Sequence, residues 1–278
     1  MKVGILGAGP AGLYAAILLK KTWPAVEIEL HEQNAVDATW GFGVVFSDRA
    51  MEFLREDDPE TANLFEDSME AWSNITVAHR GEQIDIDGIG FRAISRLKML
   101  DLLRIRASSL GISPIFQSRV KDLSLFDDCD LVIAADGINS VIRAGNPQAY
   151  GELLSFLDNR FVWYGVARPF DALTQTFRST EYGDFNAHHY RYSPTHSTFL
   201  VECSPQAYEV AGFADMPEPE YRRVCQRLFA EELAGEPLIN NHSVWRRFPV
   251  LENTRFYHRN RVLVGDALHT AHYSIGSG

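Results

Sequence analysis

The stretch Lys2-Val3-Gly4-Ile5-Leu6-Gly7-Ala8-Gly9-Pro10-Ala11-Gly12-Leu13 decides how the rest of the chain is read. Lys2 to Leu6 reads as a short buried strand. Three glycines follow at the GxGxxG spacing and open a helical run, Leu13 to Lys20. A second strand, Val26 to Leu30, leads to Glu32, 20 positions beyond Gly12. Strand, turn, helix, strand and terminal acid together form the dinucleotide-binding fingerprint in its structural context. Gly7 allows the tight turn, Gly9 lets the backbone approach a pyrophosphate, and Gly12 lets the helix lie close to the strand. The helix N-terminus presents free N–H groups and a partial positive charge to phosphate. Glu32 is placed to accept hydrogen bonds from a ribose diol. The fingerprint alone serves NAD and FAD alike.

The bulk properties bound the answer. A chain of 278 residues has room for one large or two moderate domains. It is 46% hydrophobic and 23% charged, as soluble globular proteins are. Its net charge of −11 argues against nucleic acid as a partner, since phosphate binding needs concentrated Lys and Arg. Cys129, Cys203 and Cys225 form no CxxC pair, so neither a disulfide framework nor a zinc site is expected, and a reducing, cytoplasmic location fits. The apolar N-terminus carries one lysine and is interrupted by glycines, which reads as a first strand and not a signal peptide. No run approaches the roughly 20 apolar residues of a membrane span. HExxH and HxxxH spacings are missing, so no metal is expected, and without GxSxG no nucleophile triad is visible.

Further along, Trp40-Gly41-Phe42-Gly43-Val44-Val45-Phe46-Ser47 is too glycine-rich for a regular strand interior and reads as backbone approaching something flat or bulky, or as an irregular connection on the core. Residues 51–72 read as helices broken at Asp58-Pro59. Residues 74–92 form a hairpin turning at Arg80-Gly81. Ser95 caps a helix from Arg96 to Leu110 that buries Leu97, Leu100, Leu103 and Ala107 and ends at Gly111. Strands are expected at Ile112–Phe116, at Val120–Leu125 and at Asp130–Gly137, the last ending in Asp136-Gly137. Residues 160–203 alternate and are rich in aromatics, as antiparallel strands are. A helix covers 217–234, and Arg261–Val264 is a buried strand ending at Gly265-Asp266. The expected fold is α/β: a Rossmann-like domain, discontinuous over 1–72, 93–157 and 258–278, with an inserted, mostly antiparallel β-sheet substrate domain over 73–92 and 158–257.

Three motifs in this order carry a resemblance: Gly7-x-Gly9-x-x-Gly12, then Asp136-Gly137-Ile138-Asn139-Ser140-Val141-Ile142-Arg143, then Gly265-Asp266-Ala267-Leu268-His269. The chain resembles the class A flavoprotein monooxygenases, the p-hydroxybenzoate hydroxylase-like aromatic hydroxylases. Within them it is most similar to the branch acting on aryl-CoA thioesters such as salicylyl-CoA and 2-aminobenzoyl-CoA. Gly41 to Asp48, Trp163-Tyr164-Gly165, Arg168 to Asp171, Ser197 to Cys203 and Ser243 to Arg246 carry that likeness. The resemblance implies FAD as cofactor and NADH or NADPH as reductant. It also implies O2 as co-substrate and hydroxylation of an electron-rich ring through a flavin C4a-hydroperoxide. A tryptophan-derived or free aromatic substrate, or a flavin-binding module without hydroxylase activity, are the alternatives. In the family, Ser274 to Gly278 leads into a long helix, so a C-terminally truncated chain is expected.

The resemblance also implies residue roles. Gly7, Gly9, Pro10, Ala11 and Gly12 would hold the FAD pyrophosphate, with Glu32 and Gln33 at the adenosine ribose. Val44 and Gly276 would also bind the cofactor, Arg96 on its phosphates and ribityl chain, and Val120 at adenine through its backbone. Asp136 and Gly137 would support the FAD region, and Gly265 and Asp266 the ribityl hydroxyls. His272 is the candidate catalytic group, acting on a substrate hydroxyl or amine, or else a packing residue. His188 and His189 alternate on one strand, so at most one faces the site.

Overall fold

The structure, a computed structural model, describes residues 1–273. Two sheets organise it. The first has five strands: β1 (Lys2–Leu6), β2 (Glu27–His31), β6 (Leu131–Ala134), β13 (Tyr257–His258) and β14 (Arg261–Leu263), in the order β13-β14-β6-β1-β2. β14, β6, β1 and β2 run parallel, and β13 is antiparallel at the edge. Parallel neighbours need a crossover, which helix α1 (Pro10–Thr22) provides between β1 and β2. Helices α2 (Asp48–Asp57), α3 (Pro59–Glu66) and α4 (Arg96–Ser109) complete that side. The core here joins Val3, Ile5, Leu13, Ile17 and Leu30 to Met99, Leu103 and Ala107 of α4.

The second sheet has nine strands. β3 (Gly43–Ser47), β4 (Glu70–His79) and β5 (Glu82–Ser95) enter it from the N-terminal third. β7 (Glu152–Val166), β8 (Leu173–Thr180), β9 (Gly183–Arg191), β10 (Ser197–Cys203), β11 (Leu238–Ile239) and β12 (Arg246–Asn253) complete it. The order is β11-β7-β10-β9-β8-β4-β5-β3, with β12 pairing β7. All its pairings are antiparallel except β4 with β8. Short helices α5 (Val141–Ala144) and α6 (Pro147–Tyr150) lead into β7. Helices α7 (Pro205–Val210), α8 (Glu218–Leu228) and α9 (Ala230–Leu233) cover one face of the sheet.

The α/β class and the inserted, mostly antiparallel sheet are as expected, with several local corrections. Ile112–Phe116 and Val120–Leu125 are not strands. Ile115 makes a single bridge to His31, and Leu123–Phe126 is a 3-10 turn. Pro114 lacks an N–H to extend a ladder, and Gln117 at φ +54° turns the chain away. The helices in 51–72 end at Glu66, and Glu70 already belongs to β4. The 217–234 helix breaks at Phe229. Leu97 is 37% exposed, because α4 buries Met99, Leu100, Leu102, Leu103 and Ala107 against α1, α3 and the sheet instead. The glycine-rich run does form strand β3, at the sheet edge. Its approach to flat groups is to the chain's own rings, since a Cβ on Gly41 or Gly43 would press on Trp163 or Tyr192 at 2.9 and 2.7 Å.

The expected domain boundaries at 72/73, 92/93 and 157/158 fall inside β4, β5 and β7, and β3 belongs to the large sheet. A division of the chain by sheet would therefore assign 43–47, 70–95 and 152–253 to the substrate side.

Buried polar clamps join the parts. Asp58, fully buried at the start of α3, accepts from Lys21 of α1 at 2.7 Å, from Thr61 at 2.5 Å and from Arg106 of α4 at 3.2 Å. Burial alone would raise its pKa, but these donors outweigh it and hold the carboxyl well below the usual range.

Candidate functional site

The glycine loop sits at the C-terminal end of β1. Gly7 takes φ +100°, and a Cβ there would overlap the Ala135 carbonyl. A Cβ on Gly12 would overlap the Gly7 carbonyl, so the helix start and the strand end meet backbone to backbone. Gly9, the residue capping α1, is different, for nothing lies within 4 Å of where its Cβ would be. The loop is thus packed from below and open above its second glycine. Pro10 is the first residue of α1, where its missing N–H costs nothing.

Glu32 closes the loop from the side. One carboxylate oxygen accepts from the Ala8 N–H at 2.9 Å, and the other accepts from the Asn34 N–H and side-chain amide at 2.9 and 2.7 Å. Gln33 beyond it is exposed. Val120 is half-buried against Phe126 and its neighbours, outside any strand, and nothing links its side chain to the loop.

The C-terminal motif meets the loop directly. Gly265, at φ +57°, lies so close to α1 that a Cβ would stand 2.8 Å from the Ala11 methyl. Asp266 follows, facing solvent, its pKa raised by the protein packed around it and lowered in part by Arg96 and His269. Arg96 begins α4, where its N–H donates to the Phe42 carbonyl at 2.7 Å. Burial pulls its guanidinium below the ordinary value, against the attraction of Asp266. No hydrogen bond or ion pair holds that guanidinium among the described residues, though it is half-buried. Such a cation fits an anion.

Asp136 ends β6. Oδ2 accepts from the Val141 N–H at 2.8 Å at the start of α5, while the buried Oδ1 has no partner. Burial raises its pKa despite the Val141 and Ser140 contacts. Val44 lies in β3 opposite Ile94, half-buried on the core. Gly276 lies outside the described residues.

Arg143 takes a part that its place in the motif did not announce. Buried at 4% exposure, it donates to the Ala267 carbonyl at 2.7 Å, to Glu152 at 2.5 Å and to the Ile138 carbonyl. It ties the Asp136-Gly137 loop to the Gly265-Asp266 turn and to the first residue of β7.

The large sheet turns its other, inner face to this assembly. Gly43 at the start of β3 is fastened to it, since its N–H donates to Thr198 Oγ1 at 3.0 Å and its carbonyl accepts from Tyr190 Oη at 2.9 Å. Residues paired across strands share a face. One row runs Trp163, Leu200, His188, Gln175, and the next Phe161, Glu202, Asn186, Phe177. Tyr273 Oη donates to Glu202 Oε2 at 2.9 Å, and the neighbouring His272 ring packs 4.8 Å from Phe248. Burial lowers the His272 pKa, while Glu202 raises it. A cavity of about 450 Å³ lined by Phe126, Tyr150 and Arg261 lies instead at the opposite, N-terminal ends of β6 and β14.

A salicyloyl-CoA 5-hydroxylase of Streptomyces sp is 36% identical to this chain over 286 aligned residues, which cover 100% of the chain and 55% of that protein. A 3-hydroxy-4-methyl-anthranilyl-[aryl-carrier protein] 5-monooxygenase of Streptosporangium sibiricum is 34% identical over 278 residues, covering 100% of the chain and 75% of that protein. The chain belongs to the FAD-dependent aromatic monooxygenases. It spans about half the length of the first relative and three quarters of the second. Among solved structures, the monooxygenase fold recurs in tetrameric 2-methyl-3-hydroxypyridine-5-carboxylic acid oxygenase, with a TM-score of 0.76 at 16% identity, covering 96% of this chain and 75% of that one. No family model matches the chain. Among the described residues no helix is long and apolar enough to cross a membrane, and no group of three or more metal-ligating side chains assembles.

The residues of this chain fit the flavin that its family uses. The open space over Gly9 suits a pyrophosphate, the unpartnered Arg96 suits its charge, and the orphaned Asp136 Oδ1 suits a donor from outside the chain.

Proposed function

We propose that this chain hydroxylates an electron-rich aromatic ring presented as an aryl-CoA thioester, using FAD, O2 and NADH or NADPH. One observation carries the reading: a half-buried cation without a partner, Arg96, stands near Asp266, whose neighbour Gly265 packs on Ala11 of the glycine loop, and the Arg96 backbone is tied to Phe42 beside the large sheet. Gly7, Gly9, Pro10, Ala11 and Gly12 would bind the pyrophosphate, Glu32 and Gln33 the ribose, and Arg96, Asp136, Gly137, Gly265 and Asp266 the rest of the cofactor. FAD when bound supplies the oxygen chemistry. The chain's own part is to orient the ring and exclude water from it, with Phe161, Trp163 and Leu200 forming an apolar floor. His272 would act at the substrate's hydroxyl or amine. The three free, buried cysteines suit a reducing, cytoplasmic setting.

The anionic CoA must bind against a net charge of −11. Of the arginines around the sheet, Arg191 is taken up by Glu70 at 2.9 Å, Arg247 by Asp158 at 3.0 Å, and Arg168 by the Glu232 carbonyl at 2.5 Å. Arg160 donates to the Asp158 carbonyl at 2.7 Å and lies over the Tyr208 ring, while Arg246 has no carboxylate partner among the described residues and is exposed and opposite Phe161. Arg246 is therefore the arginine available to CoA phosphates.

The test is product analysis with FAD, NADH or NADPH and ¹⁸O2 over a panel of aryl-CoA thioesters, free aryl acids and indoles. One labelled oxygen in an aryl-CoA product, with thioester binding weakened by salt and by Arg246→Glu, is the expected result. Labelled indole or free-acid products, with no effect of salt, would move the substrate away from CoA. NAD(P)H oxidation without labelled product from any compound would overturn the hydroxylase reading.

A further inference from the structure

The two histidines of β9 are neighbours in sequence and opposites in surroundings. His189 faces the covered side of the sheet, where Nε2 meets Thr176 Oγ1 at 3.1 Å and the ring stacks on Phe199 at 5.3 Å. His188 faces the inner side. It is 4% exposed, its ring lies 5.8 Å from that of Tyr190, and its Nε2 has no hydrogen-bond partner. It is also near enough to His272 for that ring's charge to lower its pKa.

Orphaned polar atoms occur on the covered face too, among them Tyr164 Oη and His189 Nδ1, but within an apolar cluster sealed by α7, α8 and α9. On the inner face three fall in two adjacent rows: Trp163 Nε1, His188 Nε2 and Asn186 Oδ1. Trp163 and His188 flank Leu200 from either side, two strand spacings or about 10 Å apart. Leu200 between them is itself only 2% exposed, so a flat ring that reached both would take the place of what now covers it, with Asn186 one row further along. Buried polar atoms without partners are costly to keep, and a ligand that supplies the missing bonds relieves that cost.

We infer that His188 recognises the hydroxyl or amino substituent of the aromatic substrate, accepting a hydrogen bond from it through Nε2, with Asn186 beside it on the same face. The inference rests on the proposed aromatic substrate and adds which group of it is recognised. Desolvation keeps His188 neutral at physiological pH, its pKa pushed down to about 4, so one ring nitrogen stays an acceptor. An acceptor on the O–H or N–H leaves the heteroatom's lone pair free to enrich the ring. A ring without the substituent leaves the imidazole unpaired, which is the basis of strong discrimination.

Calorimetric titration of the FAD-loaded protein with salicyloyl-CoA and with benzoyl-CoA, which lacks the substituent, tests this through binding alone. The wild type should bind salicyloyl-CoA at least about tenfold more tightly. His188→Leu should bring the ratio close to one while benzoyl-CoA affinity holds, and His189→Leu should leave the ratio as it was. A folded His188→Leu protein that keeps the full ratio, or that loses both ligands equally, overturns the inference. Should that variant not fold, ¹⁵N-histidine spectra of the wild type decide. A ring nitrogen missing from the spectrum of His188→Gln should shift with salicyloyl-CoA and not with benzoyl-CoA, and its failure to shift is refutation. Binding discrimination without oxygen insertion would refute the hydroxylase reading and leave this inference standing. Oxygen insertion without discrimination would do the reverse.

Discussion

The two sheets carry their chemistry in different materials. On the parallel sheet the candidate cofactor site is mostly main chain: open space over Gly9, tight backbone contacts at Gly7 and Gly12, and a few charged groups at strand ends. On the large sheet the candidate substrate face is all side chain, assembled from alternate residues of β7, β8, β9 and β10. Main-chain sites depend on short segments with special residues. Side-chain sites on a sheet depend on register between segments far apart in sequence.

The sharpest break between the two should come from Gly9→Val. The residue has φ −71° and space around it, so the fold should persist with unchanged circular dichroism while FAD affinity falls at least a thousandfold, about 4 kcal/mol. A Gly9→Val protein that retains stoichiometric flavin removes the loop from the site. Arg143→Leu attacks the strut between the regions. It strips Glu152 and two carbonyls of a buried partner, and urea unfolding should show a loss of about 3–5 kcal/mol. Flavin release and loss of the β7 fold should then occur together; wild-type stability would mean the regions are not coupled through it.

A pH-dependent effect lies within the large sheet. Burial lowers the His188 pKa to about 4, with His272 adding to it, and the His189 pKa to about 3, with His188 and Arg168 adding to it. Both fall from an unfolded value of 6.5, so the unfolded chain binds more protons between those limits. Their stabilising contribution is therefore complete above pH 6.5 and is lost as pH falls toward 4 and 3, on the order of 3 kcal/mol for His188 and 5 kcal/mol for His189. Unfolding free energies measured from pH 7 to pH 4 should show that slope, and His189→Phe should flatten part of it. An identical slope in that variant would mean that other groups set it.

What could be read from residue order follows this contrast. The glycine loop, Glu32, the Asp136-Gly137 strand end and the Gly265-Asp266 turn were legible because each is a local pattern with a local physical cause. The Arg80-Gly81 hairpin was legible for the same reason, with both turn residues at positive φ. Ile112–Phe116 misled because apolar residues in sequence do not guarantee a partner strand, and Pro114 leaves a gap in any ladder. Arg143 stood in a recognised motif, yet its role depends on Ala267, 124 residues away.

The sequence by itself determined the α/β class, the dinucleotide fold of its first strands and the family. Special backbone conformations and helix termini are written in a few adjacent residues, and these are enough for that. Only the tertiary structure decided which face of β9 meets the site, that Arg96 stands without a partner beside Asp266, and that Trp163, His188 and Asn186 come together. Alternation along a strand states that neighbours point opposite ways. Which way is inward is set by what packs on each side, here α7, α8 and α9 on one face and β3 with the 265–273 loop on the other.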